Sequence, residues 1–258
     1  MTSINNQNYP QKIWLVRHGE SAGNVARHEA ELRGSLKVKS PQRDIDVPLS
    51  ERGERQARAT GKWFACVDNN ECPTVVIASP YVRTRETARL LLEESGIDLT
   101  ETAFITDERL REKEFGIFDM LTKQGVKEKY PDQYEMRNAL GKFYHRPPGG
   151  ESWCDVILRL RSMVNSLRLE YSGERVLIVT HEVVISCFRY LLENMTEEEL
   201  LAIDRAHDVA NCSITSYQFD AGARRQGGMT LGLPNYTKHL EEVGEDVTTN
   251  PDKPIAPK

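Results

Sequence analysis

Two short apolar runs of the chain stop at a histidine. Ile13-Trp14-Leu15-Val16 leads into Arg17-His18-Gly19, and Val176-Leu177-Ile178-Val179 leads into Thr180-His181-Glu182. Runs of this length bounded by polar turns predict buried strands. A β-branched run from Thr74 to Ala78 ends at Ser79-Pro80 and predicts another. Ala103 to Thr106 and Ser213 to Phe219 predict two more, the second closing the core. Helical spacing fills the intervals. Ser50 stands as a cap before Ala57, Thr60, Trp63, Phe64 and Val67, which recur on one face. Thr84, Thr87, Ala88, Leu91 and Leu92 form a second stripe, and Val156, Ile157, Leu160, Met163, Val164 and Leu167 a third. Helices are also predicted from about Val183 to Leu192 and from Glu197 to Arg205. Strands alternating with helices imply an α/β fold, a three-layer α/β/α sandwich with a mostly parallel central sheet.

Two segments break this pattern. After Asn24 the chain is polar to about Arg43, carries Arg33, Lys37 and Lys39, and lacks hydrophobic periodicity. It reads as an exposed excursion over 25–43, either a basic lid above an anionic substrate or a solvated loop. Beyond Gly222 the chain becomes Gly-, Pro- and charge-rich. Residues 1–220 are therefore expected to form one catalytic domain, and 221–258 a C-terminal tail of uncertain order.

Composition narrows the function. With 258 residues, 39% of them apolar and no internal repeat, the chain can bury one good core. A net charge of −5 favours neither nucleic acid nor an anionic membrane, so any anion must be bound locally. No apolar stretch approaches the ~20 residues of a membrane span, and Met1 to Gln11 lacks the layout of a signal peptide. The five cysteines are odd in number and widely spaced, as reduced thiols are. A cytoplasmic protein is expected.

The chemistry gathers where strands end, as sites do in open α/β sheets. Arg17 offers a planar fork of donors suited to phosphate, and His18 can attack phosphorus if one ring nitrogen is held unprotonated. Arg83 and Arg85 lie in the first turn of a predicted helix, where the dipole disfavours cations unless an anion is bound there. Glu112 and Glu114 stand close to Gly116; either carboxyl could protonate a leaving oxygen, and the residues alone do not choose between them. His181 occupies a strand-to-helix handover. No histidine or carboxylate spacing forms a metal-ligand set, so neither metal nor cofactor is expected.

The string Arg17-His18-Gly19-Glu20-Ser21-x-x-Asn24 resembles the signature of the histidine phosphatase superfamily, also called phosphoglycerate mutase-like. Later blocks resemble it in the same order: Leu49-Ser50-x-x-Gly53-x-x-Gln56-Ala57, Ser79 to Ala88 with Arg83, Leu110-x-Glu112 with Gly116, Gly150-Glu151-Ser152, and Thr180-His181. The resemblance spans about residues 13–219. It implies a phosphohistidine on His18, phosphoryl oxygens held by Arg17, Asn24, Arg83 and His181, and Glu112 as the acid; Arg85 falls outside the register. From Leu110 to Pro131 the chain is also similar to the fructose-2,6-bisphosphatase domain. Arg137 falls where that family has a substrate-binding arginine. The register then slips, and Lys142, Tyr144 and Arg146 read either as substrate contacts or as an exposed basic turn. Glu182 replaces the family's usual glycine and is expected to point away from phosphate or to hydrogen-bond amides at the helix start. The implied activity is hydrolysis of a small phosphorylated metabolite. The alternatives are transfer of the phosphoryl group back to a product, as in a phosphoglycerate mutase, or non-catalytic phosphate binding.

Overall fold

A computed structural model describes residues 8–40, 42–97, 102–223 and 227–249. In chain order the elements are β1 (Lys12–Arg17), α1 (Ala22–Leu32), α2 (Glu51–Ala65), β2 (Val75–Ala78), α3 (Val82–Ser95), β3 (Ala103–Thr106), α4 (Lys123–Lys129), α5 (Pro131–Tyr144), α6 (Trp153–Glu170), β4 (Arg175–Thr180), α7 (Glu182–Glu193), α8 (Glu197–Ala206), β5 (Ile214–Asp220), β6 (Gly228–Leu231) and α9 (Lys238–Glu241). The sheet order is β3-β2-β4-β1-β5-β6. The first four strands run parallel, and β5 is antiparallel to both β1 and β6. The fold is thus α/β with a mostly parallel sheet, as the alternation of strands and helices predicts.

Period-two alternation assigns each strand residue to a layer. Ile13, Leu15, Val75, Ile77, Val176 and Ile178 face one side, where they meet Val156, Leu160 and Met163 of α6 and Val184, Ile185 and Phe188 of α7. Trp14, Val16, Val76, Ala78, Leu177 and Val179 face the other, against Phe64 of α2 and Ala88 and Leu91 of α3. Near-continuous apolar strands are what a sheet covered on both faces requires. Glycine sets the spacing between the two covering helices on the second side. A Cβ on Gly61 would stand 2.4 Å from the Leu91 carbonyl oxygen, so α2 and α3 approach as closely as they do because that position has no side chain.

The 25–43 excursion is not a solvated loop. Its first half is α1, capped by a box in which Ser21 and Asn24 satisfy each other's backbone amides. The buried side of α1 is largely polar, which is why no apolar stripe announced it: Arg27 is buried and donates to the Leu121 carbonyl at 2.8 Å. Its second half is stitched to the 115–122 segment, through Val38 to the Met120 carbonyl, Thr122 to the Leu36 carbonyl, and the Thr122 hydroxyl to Ser35. Arg33, Lys37, Lys39 and Arg43 lie on its outer side, exposed.

The expectation of a tail after residue 220 also needs correction. β6 extends the sheet, and Met229, His239 and Leu240 are buried. The chain beyond α9 returns to α2 and to the turn before β5, where Gln56 donates to the Asp246 carbonyl and Asn211 to the Thr248 carbonyl. Glycine and proline there mark turns; backbone pairing and a few apolar anchors, which composition does not register, hold the segment. Residues 224–226 and 250–258 of that stretch lie outside the described residues. Among the described residues no helix is long and apolar enough to cross a membrane.

Candidate active site

Parallel pairing fixes where the two histidines meet. β1 and β4 are neighbours with Arg17 opposite Thr180, so His18 and His181 leave the sheet side by side at its C-terminal edge. β2 lies on the other flank of β4 and delivers Ser79 to the same edge. The rings of His18 and His181 are 5.2 Å apart, centroid to centroid, and both residues are fully buried.

The backbone around His18 has little freedom. Gly19 donates its amide to the Thr87 hydroxyl at 3.0 Å, and a Cβ on Gly19 would stand 2.4 Å from the Gly53 carbonyl oxygen. The glycine thus allows the turn to lie directly on the start of α2. Asn211 donates to the His18 carbonyl at 3.0 Å. His18 Nδ1 lies 2.7 Å from the Gly19 carbonyl oxygen. A carbonyl only accepts, so Nδ1 carries the proton and Nε2 keeps its lone pair. Arg83 Nε–H donates to that Nε2 at 3.3 Å.

Arg83 and the His181 ring lie beside His18, and further groups contact them in turn. Arg83, buried in the first turn of α3, lies 4.7 Å above the Tyr81 ring. Tyr81 in turn stands edge-on to His181 at 4.9 Å. Burial, with Asp44 and Glu114 adding to it, pushes the Tyr81 phenol well above its ordinary range. His181 Nε2 is 2.8 Å from the Ser79 hydroxyl, and its Nδ1 is 3.8 Å from a Glu112 carboxylate oxygen. The other Glu112 oxygen accepts from the Lys113 amide at 2.7 Å. The structure therefore separates the two carboxylates that the sequence left open: Glu112 is buried beside His181, whereas Glu114 is half-buried near the Tyr81 hydroxyl at 3.4 Å. Arg17 is fully buried and donates to the Val209 carbonyl at 2.6 Å. Arg85 is exposed.

Asn24 is buried at the start of α1, and its amide oxygen accepts from the Ser21 amide and hydroxyl, both at 2.9 Å. Only its NH2 side is suited to an anion. Glu182 does not turn away as expected: its carboxylate reaches within 3.8 Å of the Arg17 guanidinium. Lys142 is paired with Asp204 and Arg146 with Asp155, while Tyr144 is exposed, so two of the three basic-turn candidates are held by acidic neighbours.

Arg137 is carried on the buried side of α5. It is 8% exposed, makes no hydrogen bond or ion pair among the described residues, and burial alone lowers its pKa to about 10. Beside it is His145, 1% exposed and stacked on Phe118, whose two ring nitrogens have no hydrogen-bond partner among the described residues. Burial first, then the charges of Arg137 and Lys113, bring His145 down to about 4. Sequence reasoning missed His145, Lys113 and Asp44 as functional candidates, because each acts through neighbours distant in the chain.

Among the described residues no group of three His, Cys, Asp or Glu is placed to hold a metal ion. What the arrangement offers is an imidazole nitrogen facing the Arg83 guanidinium, a second imidazole, and a buried carboxyl beside that second ring.

Comparison with known proteins agrees with this geometry. The chain is 31% identical over 192 residues to a 2,3-bisphosphoglycerate-dependent phosphoglycerate mutase of Gloeobacter violaceus, covering 74% of this chain and 79% of that one. It is 30% identical over 190 residues to fructose-2,6-bisphosphatase of Saccharomyces cerevisiae, covering 74% of this chain but 36% of the yeast protein. Among solved structures, Bacillus stearothermophilus YhfR superposes with a TM-score of 0.68 at 26% identity, covering 89% of this chain and 98% of that one. A mycobacterial glucosyl-3-phosphoglycerate phosphatase shares the fold, with a TM-score of 0.65 at 24% identity over 88% of this chain and all of the other. The match to the superfamily itself runs from residue 13 to residue 229, and with it the chain belongs to the histidine phosphatase superfamily, branch 1.

Proposed function

We propose that this chain hydrolyses a phosphomonoester through a phosphohistidine on His18. The observation that carries the reading is the His18 ring itself. Its Nδ1–H is held by the Gly19 carbonyl, so the Nε2 lone pair is directed to where Arg83 Nε stands 3.3 Å away. An imidazole fixed in that tautomer beside a guanidinium is a nucleophile with an anion site in front of it.

In the first step His18 Nε2 attacks phosphorus and the ester P–O bond breaks. Glu112 gives its proton to the departing oxygen, while Arg17, Arg83, His181 and the Asn24 NH2 group take the charge of the equatorial oxygens. In the second step water gives a proton to Glu112 and attacks the same phosphorus. The N–P bond breaks, and inorganic phosphate and neutral His18 are regenerated. Arg137, with His145 and Lys113 near it, is the second place where a negative group on the substrate can be held. Small metabolites that carry an acidic group besides the reacting phosphate fit that pair of sites.

His18→Ala should abolish phosphate release from a generic phosphomonoester, and retained turnover would remove the reading. Acid-labile label on His18 after brief incubation with substrate distinguishes catalysis from mere phosphate binding. The mutase reading has a specific observation in its favour, the 31% identity to a phosphoglycerate mutase. Assaying phosphoglycerate isomerisation against phosphate release in one mixture separates the two.

A further inference from the structure

Each arginine at the proposed phosphoryl site already faces a carboxylate. Arg83 Nη1 donates to the Asp44 carbonyl at 2.7 Å and lies 3.3 Å from the Asp44 carboxylate. Arg17 Nη2 lies 3.8 Å from the Glu182 carboxylate. Both arginines are buried, with 1% or less exposed. The carboxylates retain some access to water, with side chains 22% exposed for Asp44 and 13% for Glu182. They come from different segments of the chain. Asp44 is carried by the segment after α1, whose basic residues lie outward, and Glu182 opens α7 directly after His181.

A pocket built only to attract phosphate would leave its guanidinium groups facing solvent. Here each arginine has a carboxylate partner, and the Glu112 carboxyl lies beside His181. Tyr81 registers the same arrangement from inside the pocket, since Asp44 leads the charged groups that push its phenol upward. Hydrogen bonding from the arginines survives this matching, because each fork has several N–H groups. The net attraction for a second negative charge does not survive it.

We propose that Asp44 and Glu182 are charge-selecting residues of the phosphoryl site, making it accept the monoanionic form of a phosphate group and discriminate against a tetrahedral dianion. This rests on the reading that Arg17 and Arg83 hold the phosphoryl group. It gives Glu182 a purpose where the superfamily usually has glycine: it weakens the hold of Arg17 on a doubly charged anion.

The test uses the full chain and two anions of one shape. At about pH 6, near the second ionisation of a phosphate ester, inorganic phosphate is chiefly a monoanion, whereas sulfate is a dianion throughout. Binding of each is measured by titration calorimetry to the wild type, Glu182→Gln, Asp44→Asn and the double variant. Thermal melts verify that each is folded, and if one variant unfolds the other decides. The wild type should bind phosphate at least about tenfold more tightly than sulfate, and each variant should tighten sulfate by about tenfold, the scale of one partly screened charge pair. The double variant should bring the two affinities together. A phosphate-to-sulfate ratio that does not fall in the variants overturns charge selection while leaving the catalytic reading intact. If the wild type binds neither anion and releases no phosphate from esters, the phosphoryl-site reading fails with it.

Discussion

Removing the charge of Arg137 should make the ligand-free protein more stable. The guanidinium is 8% exposed and has no acidic partner among the described residues, and burial alone brings its pKa down to about 10. For a base, a lowered folded-state pKa means that the folded chain holds the proton less tightly than the unfolded chain. The charged form is therefore a destabilising load at pH 7, relieved only as pH rises through about 10. A fall of that size corresponds to about 3 kcal/mol. Arg137→Met keeps the length of the side chain and drops its charge, so a gain of about 1–3 kcal/mol is expected once packing differences are allowed for. In a chain of this size, that is a rise in melting temperature of about 2–10 °C. Urea and thermal denaturation at pH 7 without phosphate measure it. A second readout is independent of unfolding: His145, held near 4 partly by Arg137, should titrate higher in the variant, as followed by its ring proton resonance. Substrate with a second acidic group should show a raised KM. An Arg137→Met protein less stable than wild type would refute the reasoning, since it would mean that the folded chain compensates the charge.

Glu112→Gln should slow hydrolysis of esters with poor leaving groups by about 10²–10⁴, yet still let an activated aryl phosphate label His18. Phosphoenzyme should then accumulate in a rapid-quench assay. His145 and His239 are both buried neutral, with pKa values brought down to about 4 chiefly by burial. Their contribution is complete above the ordinary histidine value and is lost as pH falls from about 6.5 towards 4. Denaturation across that window should show stability declining with acid, and His239→Gln should flatten the decline. Gly61→Ala brings a methyl to 2.4 Å from the Leu91 carbonyl oxygen, forces α2 from α3, and should destabilise by about 1–3 kcal/mol in urea titrations.

Much of this architecture is legible in the chain because burial on two faces writes itself as apolar runs. Ile13 to Val16 and Val176 to Val179 point to strands and to the histidines beyond them, and Ser50 caps the helix that its position suggests. The ordered blocks around His18, Arg83, Glu112 and His181 also locate the candidate site. What escaped depends on partners far away in sequence. α1 buries Arg27 against a carbonyl nearly a hundred residues on, so its inward face looks like a surface. β6 is held by backbone pairing with β5, and α9 by burial of His239 and Leu240 in a stretch whose composition reads as loop. Glu182 faces Arg17 because β1 and β4 are adjacent, a fact of sheet order that no local pattern encodes.

That same order constrains how the molecule is made. β4 lies between β2 and β1, so the two earliest strands are separated in the finished sheet by one that emerges only at residues 175–180. During synthesis the β1 edge has neither of its eventual neighbours, β4 and β5, and must wait without pairing wrongly. Long-range closures of this kind are slow to form. A nascent chain stalled before Arg175 should be inert and sticky, and production of this protein should respond to chaperones that shelter exposed strand edges.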